Sequence, residues 1–267
     1  MGNIHRPTGV PLRARITFLV IDRGTLHASQ HSLQLERKTG SIEIPCAQST
    51  VLLLEPGVTV THAAVKMCSD QGTLLIWVGE ACVRVYSAGE PGGAAGERIL
   101  AQARLRLNRR SRIAVARRFY HRMLGKMPHR ANDIEKLRGM EGAWVRQKYR
   151  DLAEEHGVVW TSRDEASHAL QEGLAYATAT LYGLSEAVIL GAGYSPSIGF
   201  IHSGDRRSLV YDLADTVKFR TVVPAAFSVV VSGPKDVRSE VRRACRDLFR
   251  SESTIEGLFD NLAYALE

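Results

Sequence analysis

Short apolar runs broken by turn residues occupy the first third of the chain, between Ile16 and Tyr86. Runs of this length that end at Gly, Pro or Ser are typical of β-strands. The stretch from Thr61 to Ser69 is an exception, because its apolar spacing predicts a short helix. The pattern as a whole predicts a β-sandwich domain over residues 1–88. The apolar runs are ITFLVI, SIEIP, STVLLLEPG, GTLLIWVGE and ACVRVYSAG.

After Gly96 the apolar residues recur about every 3.6 positions and prolines are few, which predicts helices. Residues 89–96 are rich in glycine and are predicted to form a linker. The predicted fold class is therefore α+β, an N-terminal β-sandwich domain followed by an all-α helical domain over residues 97–267. The predicted helices are Glu97 to Asn108, Ser111 to Gly125, Ile134 to Gly157, Ser162 to Tyr182, Ala187 to Ala192, Leu209 to Phe219, Val237 to Arg250 and Ile255 to Ala265.

The composition is ordinary for a globular protein, with 267 residues of which 45% are hydrophobic and 24% charged. There is no run of eighteen apolar residues, and the N-terminus lacks the apolar centre of a signal peptide. We therefore expect a cytoplasmic protein that does not insert into a membrane. Its four cysteines are widely spaced and are expected to be buried, reduced thiols: Cys46, Cys68, Cys82 and Cys245.

Positive charge is concentrated between Arg98 and Arg150, where 16 Lys and Arg residues face 3 Asp and Glu residues. Such an excess favours a polyanion such as DNA or RNA, because Lys and Arg neutralise phosphates. The main alternative is an arginine-rich surface helix with no nucleic-acid partner. An anionic membrane surface is a less favoured one, because the segment lacks the Trp- and Phe-rich apolar face of an interfacial helix.

Candidate chemistry is concentrated between Gly199 and Phe219, where His202, Asp212 and Asp215 fall within fourteen residues. Asp212 and Asp215 are three positions apart in a predicted helix, so their carboxylates are expected on nearly the same face. A His in a preceding turn could complete a mixed nitrogen and oxygen site of the kind that suits Mn²⁺ and is tolerated by Mg²⁺. Acidic residues that merely favour a helix dipole are the alternative.

Three further features are candidates for the same site or for DNA contact. Glu141 lies between Gly139 and Gly142, which predicts close approach of another element. Arginines recur every four residues from Arg238 to Arg250, as in a helix that binds phosphates, although pairing with acids of the same helix is an equal alternative. Tyr182 and Tyr211 could contact a base or phosphate or belong to the core.

With these residues identified, the chain resembles the CRISPR-associated Cas-one endonucleases, the integrases of spacer acquisition, and most closely their type I-E branch. The resemblance extends over nearly the whole chain. It depends on HAAVKM, GTLLIWVGEACVRVYSAGEPGGA, LRGMEGAWVR, YGLSEAVILGAGYSPSIGFIHSGD, VYDLADTVKF and EVRRACRDLFR.

The resemblance implies a catalytic site in the helical domain. In that family a Glu, a His and an Asp hold a divalent metal, and the matching positions are Glu141, His202 and Asp215. Mg²⁺ or Mn²⁺ is the implied cofactor. Asp212 is implied to be an acidic neighbour in the same pocket, and Tyr182 matches a tyrosine near the active site.

The resemblance also implies partners: a homodimer, a small dimeric partner Cas protein, and double-stranded DNA of the protospacer and the CRISPR repeat. Thr59 departs from the pattern, since a close relative has arginine there, so part of the DNA path is expected to use other residues. Four basic positions match residues along that path in relatives: Lys66, Arg84, Arg242 and Arg246.

The expected activity is that of a metal-dependent DNA endonuclease and integrase, which joins protospacer 3′-hydroxyl ends to the repeat by transesterification. The alternative is a non-catalytic DNA-binding scaffold with a vestigial acidic pocket. The presence of Glu141, His202, Asp212 and Asp215 together argues mildly against a scaffold.

Overall fold

The structure is a computed structural model. It describes residues 16–29, 32–80, 84–89, 95–129, 131–162, 165–251 and 254–267, and the side chains of residues 16–18, 95, 250 and 251 are outside the description.

The described N-terminal residues form two four-stranded sheets. The first has strand order β1-β5-β7-β8 and the second β4-β3-β2-β6. Both sheets are mixed. In the first, β1, β5 and β7 run parallel and β8 is antiparallel to β7. In the second, β2 runs parallel to β6 and antiparallel to β3. The strands are β1 (Ile16–Ile21), β2 (Gly24–Ser29), β3 (Ser32–Arg37), β4 (Gly40–Ile44), β5 (Ser49–Leu54), β6 (Val58–Val60), β7 (Leu74–Val78) and β8 (Val85–Ala88).

Strand β5 is central in the first sheet and every one of its residues is buried. On one face, Leu52 and Leu54 share an apolar cluster with Leu26 of β2, so the two sheets pack together. On the other face, Val51 and Leu53 pack in a second cluster. Burial on both faces explains why this strand is a continuous apolar run rather than an alternating one.

Nine α-helices account for most of the rest of the described chain. They are α1 (His62–Gln71), α2 (Ala95–Leu107), α3 (Arg109–Leu124), α4 (Ile134–Glu155), α5 (His168–Gly191), α6 (Ser208–Ala214), α7 (Val222–Val231), α8 (Val237–Ser251) and α9 (Thr254–Leu266).

Helix α5 connects the two halves of the molecule. Its Ala187 is fully buried against Val51 and Leu53, while Leu174 and Leu181 belong to the large cluster of the helical half. Within the described residues, α5 is the one helix long and apolar enough to cross a membrane, but 67% of its most apolar window is buried inside the protein. A long apolar helix that is mostly buried is typical of the core of a globular protein.

The predicted α+β class is confirmed, with a β-rich part first and a mostly helical part after it. The short helix expected near Thr61 is also confirmed as α1. The division into domains at residues 89–96 stays a prediction, and residues 90–94 of that linker lie outside the described chain. Cys46, Cys68 and Cys245 are confirmed as buried thiols, whereas Cys82 is not among the described residues.

Three of the predicted helices were wrong in their bounds. The segments predicted as Ser162 to Tyr182 and Ala187 to Ala192 form the single helix α5, because Gly183 is buried inside it rather than ending it. The helix predicted to reach Phe219 ends at Ala214, and a separate 3₁₀ turn follows at Lys218–Arg220.

Candidate active site

Asp212 on α6 organises the turn that carries His202. Its buried carboxylate accepts four hydrogen bonds: Oδ2 from the backbone N–H of Phe200 (2.6 Å) and Ile201 (3.1 Å), and Oδ1 from the backbone N–H of His202 (2.9 Å) and its Nδ1 (2.8 Å). Charge-assisted bonds to backbone N–H groups are strong, so this turn is fixed. Asp212 therefore holds the turn that carries His202.

The hydrogen bond to Asp212 determines which nitrogen of His202 carries a proton and which is available to a ligand. Because Nδ1 donates to the carboxylate, Nε2 is the nitrogen left for a ligand. Burial alone would lower the imidazole pKa, but the hydrogen bond and charge of Asp212, helped by Asp215 and Glu141, outweigh burial and raise the pKa.

Gly199 lets the chain make this turn. A Cβ added there would lie 2.6 Å from the backbone oxygen of His202 and 2.6 Å from the Cβ of Ser208. Contacts that short do not occur between real atoms, so only glycine allows residues 199–202 to approach the start of α6.

Two polar side chains of α2 and α3, one buried and one partly buried, hold the same loop from its other side. Gln102 on α2 is fully buried and bonds to Ser195 and Ile198 through its side-chain amide. Arg112 on α3 donates Nε to the carbonyl of Phe200 at 2.8 Å. Sequence reasoning missed both roles, since neither residue is near His202 in the chain.

Glu141 reaches the site from α4 and is held by a tyrosine of α3. The hydroxyl of Tyr120 donates to Oε2 of Glu141 at 2.6 Å. Burial raises the pKa of Glu141, and the charge of Asp215 adds to that, although the Tyr120 hydrogen bond acts in the opposite sense. The expected close approach at the flanking glycines was wrong, because a Cβ at Gly139 would meet no atom within 4 Å.

Asp215 follows the last residue of α6 and leaves 17% of its side chain exposed. Burial raises its pKa, while Lys218 at 3.5 Å and the charge of His202 oppose that shift. Neither Lys218 nor Tyr120 was picked out by sequence reasoning. Lys218 lies in the 3₁₀ turn, and Tyr120 has the sequence context of an ordinary core residue.

These side chains meet at one small cavity. Its volume is about 10 Å³, which is enough space for about one water molecule. In the described residues, no three His, Cys, Asp or Glu side chains already stand in a metal-binding arrangement. The donor chemistry nevertheless suits a divalent cation, because two carboxylates with raised pKa values and an imidazole share one buried space. The lining residues are Phe119, Tyr120, Met123, Glu141, Ile201, His202, Asp212, Asp215 and Thr216.

Tyr182 lies beside the cavity rather than in its lining. Its ring packs edge-on against Tyr211 at 5.0 Å between centroids, and Tyr211 packs in the same way against His202 at 5.5 Å. The two tyrosines therefore support the outer face of the imidazole.

The predicted DNA-contact residues fall into two groups. Arg242 on α8 forms an ion pair with Glu80 at 3.8 Å. Arg84 lies near Glu80, because the carbonyl of Arg84 accepts a hydrogen bond from the backbone N–H of Gly79 at 2.8 Å. Lys66 is on α1, where it pairs with Asp70 one turn along.

The arginines of α8 pair with carboxylates of their own helix, as one of the two alternatives predicted, and in one case with a carboxylate of another helix. Arg243 pairs with Glu240 of the same helix, and Arg246 pairs with the adjacent Asp247. Arg238, in contrast, pairs with Glu172 of α5. Exposed ion pairs of this kind contribute little to stability.

The fold and the cavity define a class: an α+β protein whose helical part carries a buried site of carboxylates and an imidazole. A family model described as "CRISPR associated protein Cas1" matches residues 18–129 and 122–238. The chain belongs to this Cas1 family, the Cas-one endonucleases named above.

Individual relatives agree with that membership. A "CRISPR-associated endonuclease Cas1" of Geobacter sulfurreducens is 42% identical, covering 96% of this chain and 86% of the relative. The protein of the same name from Escherichia coli K12 is also 42% identical, over 93% of this chain and 84% of the relative. A solved TtCas1–DNA complex superimposes with a TM-score of 0.84 at 32% identity, covering 94% of this chain and 96% of that one.

Proposed function

We propose that this protein is a metal-dependent DNA endonuclease and integrase of CRISPR adaptation, of type I-E, acting in the cytoplasm. It joins protospacer 3′-hydroxyl ends to the CRISPR repeat by transesterification. The observation that carries the proposal is the convergence of Glu141, His202 and Asp215, from α4, the 199–202 turn and the end of α6, on one buried cavity.

Glu141, His202 and Asp215 are the residues that would hold Mg²⁺ or Mn²⁺. Such an ion, when bound, polarises the phosphodiester and stabilises the charge that develops on the attacking and leaving oxygens. The chain supplies a carboxylate oxygen of Glu141, Nε2 of His202 and the carboxylate of Asp215.

The other residues of the site act by orientation. Asp212 holds the His202 imidazole in one tautomer and fixes the turn through three backbone N–H groups. Lys218 lies beside Asp215 and adds positive charge to the site, which would favour a phosphate there. A fixed arrangement of this kind lets the geometry of the bound DNA decide whether a 3′-hydroxyl or water attacks.

The DNA surface proposed for this chain contains Arg84, Arg242 and Arg246, with Lys66 as a separate contact on α1. Support comes from the TtCas1–DNA relative and from the weak ion pairs of Lys66, Arg242 and Arg246. A homodimer and a small dimeric partner Cas protein complete the proposed assembly.

The test is strand transfer of a labelled duplex with 3′-hydroxyl ends into a plasmid that carries a CRISPR repeat. It is run with Mn²⁺ or EDTA, with and without the partner protein. We expect joining at the repeat that needs both the metal and the 3′-hydroxyl. His202→Ala and Asp215→Ala should abolish joining while duplex binding persists. His168→Ala and Asp151→Ala, which change exposed residues, are the matched controls.

DNA binding that is insensitive to EDTA, without joining or cleavage under any condition, would favour the scaffold instead. If His202→Ala and Asp215→Ala lost duplex binding as well, these residues would be supporting the fold rather than the chemistry.

A further inference from the structure

Tyr120 is a buried phenol whose hydroxyl bonds to a candidate metal ligand. Its side chain is 1% exposed, and it belongs to the core cluster where α3 meets α4. Its hydroxyl lies 2.6 Å from Oε2 of Glu141. A buried phenol oxygen normally has a hydrogen-bond partner, and here that partner is the carboxylate that faces the cavity.

The hydrogen bond limits the freedom of Glu141. A glutamate has three side-chain torsions and loses considerable rotamer entropy when it is fixed. The Tyr120 ring is itself held by core packing, so its hydroxyl is a fixed point on the wall of the cavity. With Oε2 engaged by the phenol, Oε1 is the oxygen available to a cation.

We propose that Tyr120 is a positioning residue that presents Oε1 of Glu141 to a divalent cation. The inference rests on the metal site in the proposed function. It adds a residue from α3 whose contribution acts through Glu141, since outer partners that orient a ligand raise metal affinity.

Tyr120→Phe removes the hydroxyl and keeps the ring. We expect Mn²⁺ affinity, measured on the full chain by the EPR signal of free Mn²⁺, to weaken about 10-fold to 100-fold. The Tm of the metal-free variant should change by no more than about 4 °C, because one hydrogen bond is removed and the packing stays. Duplex binding in EDTA should be unchanged.

Tyr149→Phe is the matched control. Tyr149 is a buried tyrosine on the same helix as Glu141, its ring packs on Trp160 and Phe219, and it is not among the described residues that line the cavity. The same removal of a phenol hydroxyl at that position should leave Mn²⁺ affinity as in the wild type.

A second measurement separates positioning from structural damage. In strand transfer followed against Mn²⁺ concentration, the midpoint for Tyr120→Phe should rise by the same factor as the dissociation constant, and the rate at saturating Mn²⁺ should approach that of the wild type. A purely structural role would lower the saturating rate and the Tm instead.

The outcomes distinguish this inference from the proposed function. A wild-type protein that binds Mn²⁺ and a Tyr120→Phe variant that binds it equally or more tightly would overturn the positioning role alone. A wild type that binds no Mn²⁺ would overturn both. A saturating rate that falls with no shift in midpoint would also overturn the positioning role.

Discussion

Four N–H groups point at the carboxylate of Asp212, and that convergence makes a neutral replacement costly. In Asp212→Asn, one oxygen becomes an NH₂ group that faces N–H donors instead of accepting from them. Each buried donor left without an acceptor costs about 1–3 kcal/mol. The turn that carries His202 therefore depends on a charged acceptor at this position.

We expect Asp212→Asn to lower the free energy of unfolding by about 3 kcal/mol. Part of that decrease should depend on pH. Asp212 raises the pKa of His202 in the folded, metal-free protein. Their pairing therefore contributes its full stabilisation below the pKa of His202 in the unfolded chain, about 6.5, and loses it as pH rises through the higher pKa of His202 in the folded protein. The difference between wild type and variant in urea denaturation should thus be larger at pH 5 than at pH 8.

Asp247→Asn is the control for that measurement, since Asp247 is exposed and pairs with its neighbour Arg246. An Asp212→Asn penalty that is small, or that grows with rising pH, would contradict the assigned hydrogen bonds.

Gly199 offers a second test of the same turn. Gly199→Ala would force its Cβ against the backbone oxygen of His202, so we expect a decrease of about 1–3 kcal/mol in stability and a large decrease in strand transfer. Gly257→Ala, in α9, meets no atom within 4 Å and should be neutral or stabilising by up to about 1 kcal/mol. Equal stability of the two variants in denaturation would show that the turn tolerates a side chain.

The site could be predicted from sequence only in part. His202, Asp212 and Asp215 are close in the chain, and the structure does place them with Glu141 at one cavity. Spacing could not separate the role of Asp212 from that of Asp215, because α6 ends between them and only Asp212 bonds to the 200–202 turn. Tyr120 could not be found at all, since its contact with Glu141 joins two helices.

Among the elements, α7 shows why periodicity can fail. Its sequence, VVPAAFSVVV, is apolar on most sides and rich in β-branched residues, so no polar face marks it as a helix. Pro224 lies in its first turn, where a missing N–H is tolerated. The hairpin of β2 and β3 was missed because strands were predicted from continuous apolar runs, whereas its leucines alternate with polar residues, the pattern of a half-buried strand.

Helix α8 has an exposed basic side that meets the β7–β8 turn. Replacing Arg242 and Arg246 together by alanine should weaken duplex binding and make the slope of log K against log salt less negative by roughly 2, about one for each phosphate that is no longer neutralised. Fluorescence anisotropy at several salt concentrations measures both effects. Arg243→Ala is the control, because Arg243 is an exposed arginine of the same helix that is not among the proposed DNA contacts. A lower affinity with an unchanged salt slope would mean that these arginines act through the fold.

The two halves of the molecule share one buried layer of apolar side chains. The first sheet has α5 on the face opposite the second sheet, with Ala187 fully buried and Leu190 beside it, and β1 also contacts α9. A sheet that leaves an apolar face for a helix is stable only while the helix is in place. The β-rich half and the helical half should therefore unfold together, although their sequences look like separate domains.

Ala187→Asp tests that coupling, because it places an unpaired charge between β5 and α5. We expect a decrease in stability of about 3 kcal/mol or more, and the resulting unfolding should affect both halves. Ala175→Asp puts the same charge on an exposed position of α5 and should cost little.

Urea transitions are followed by far-UV circular dichroism and by the fluorescence of Trp77, with Trp144 and Trp160 changed to phenylalanine in every protein. Coincident transitions in the parent and the Ala175→Asp protein, and a shifted or split transition for Ala187→Asp, are expected. A Trp77 transition well separated from the helical signal in the parent itself would show that the two halves fold independently and that the packing of α5 is not what holds the sheet.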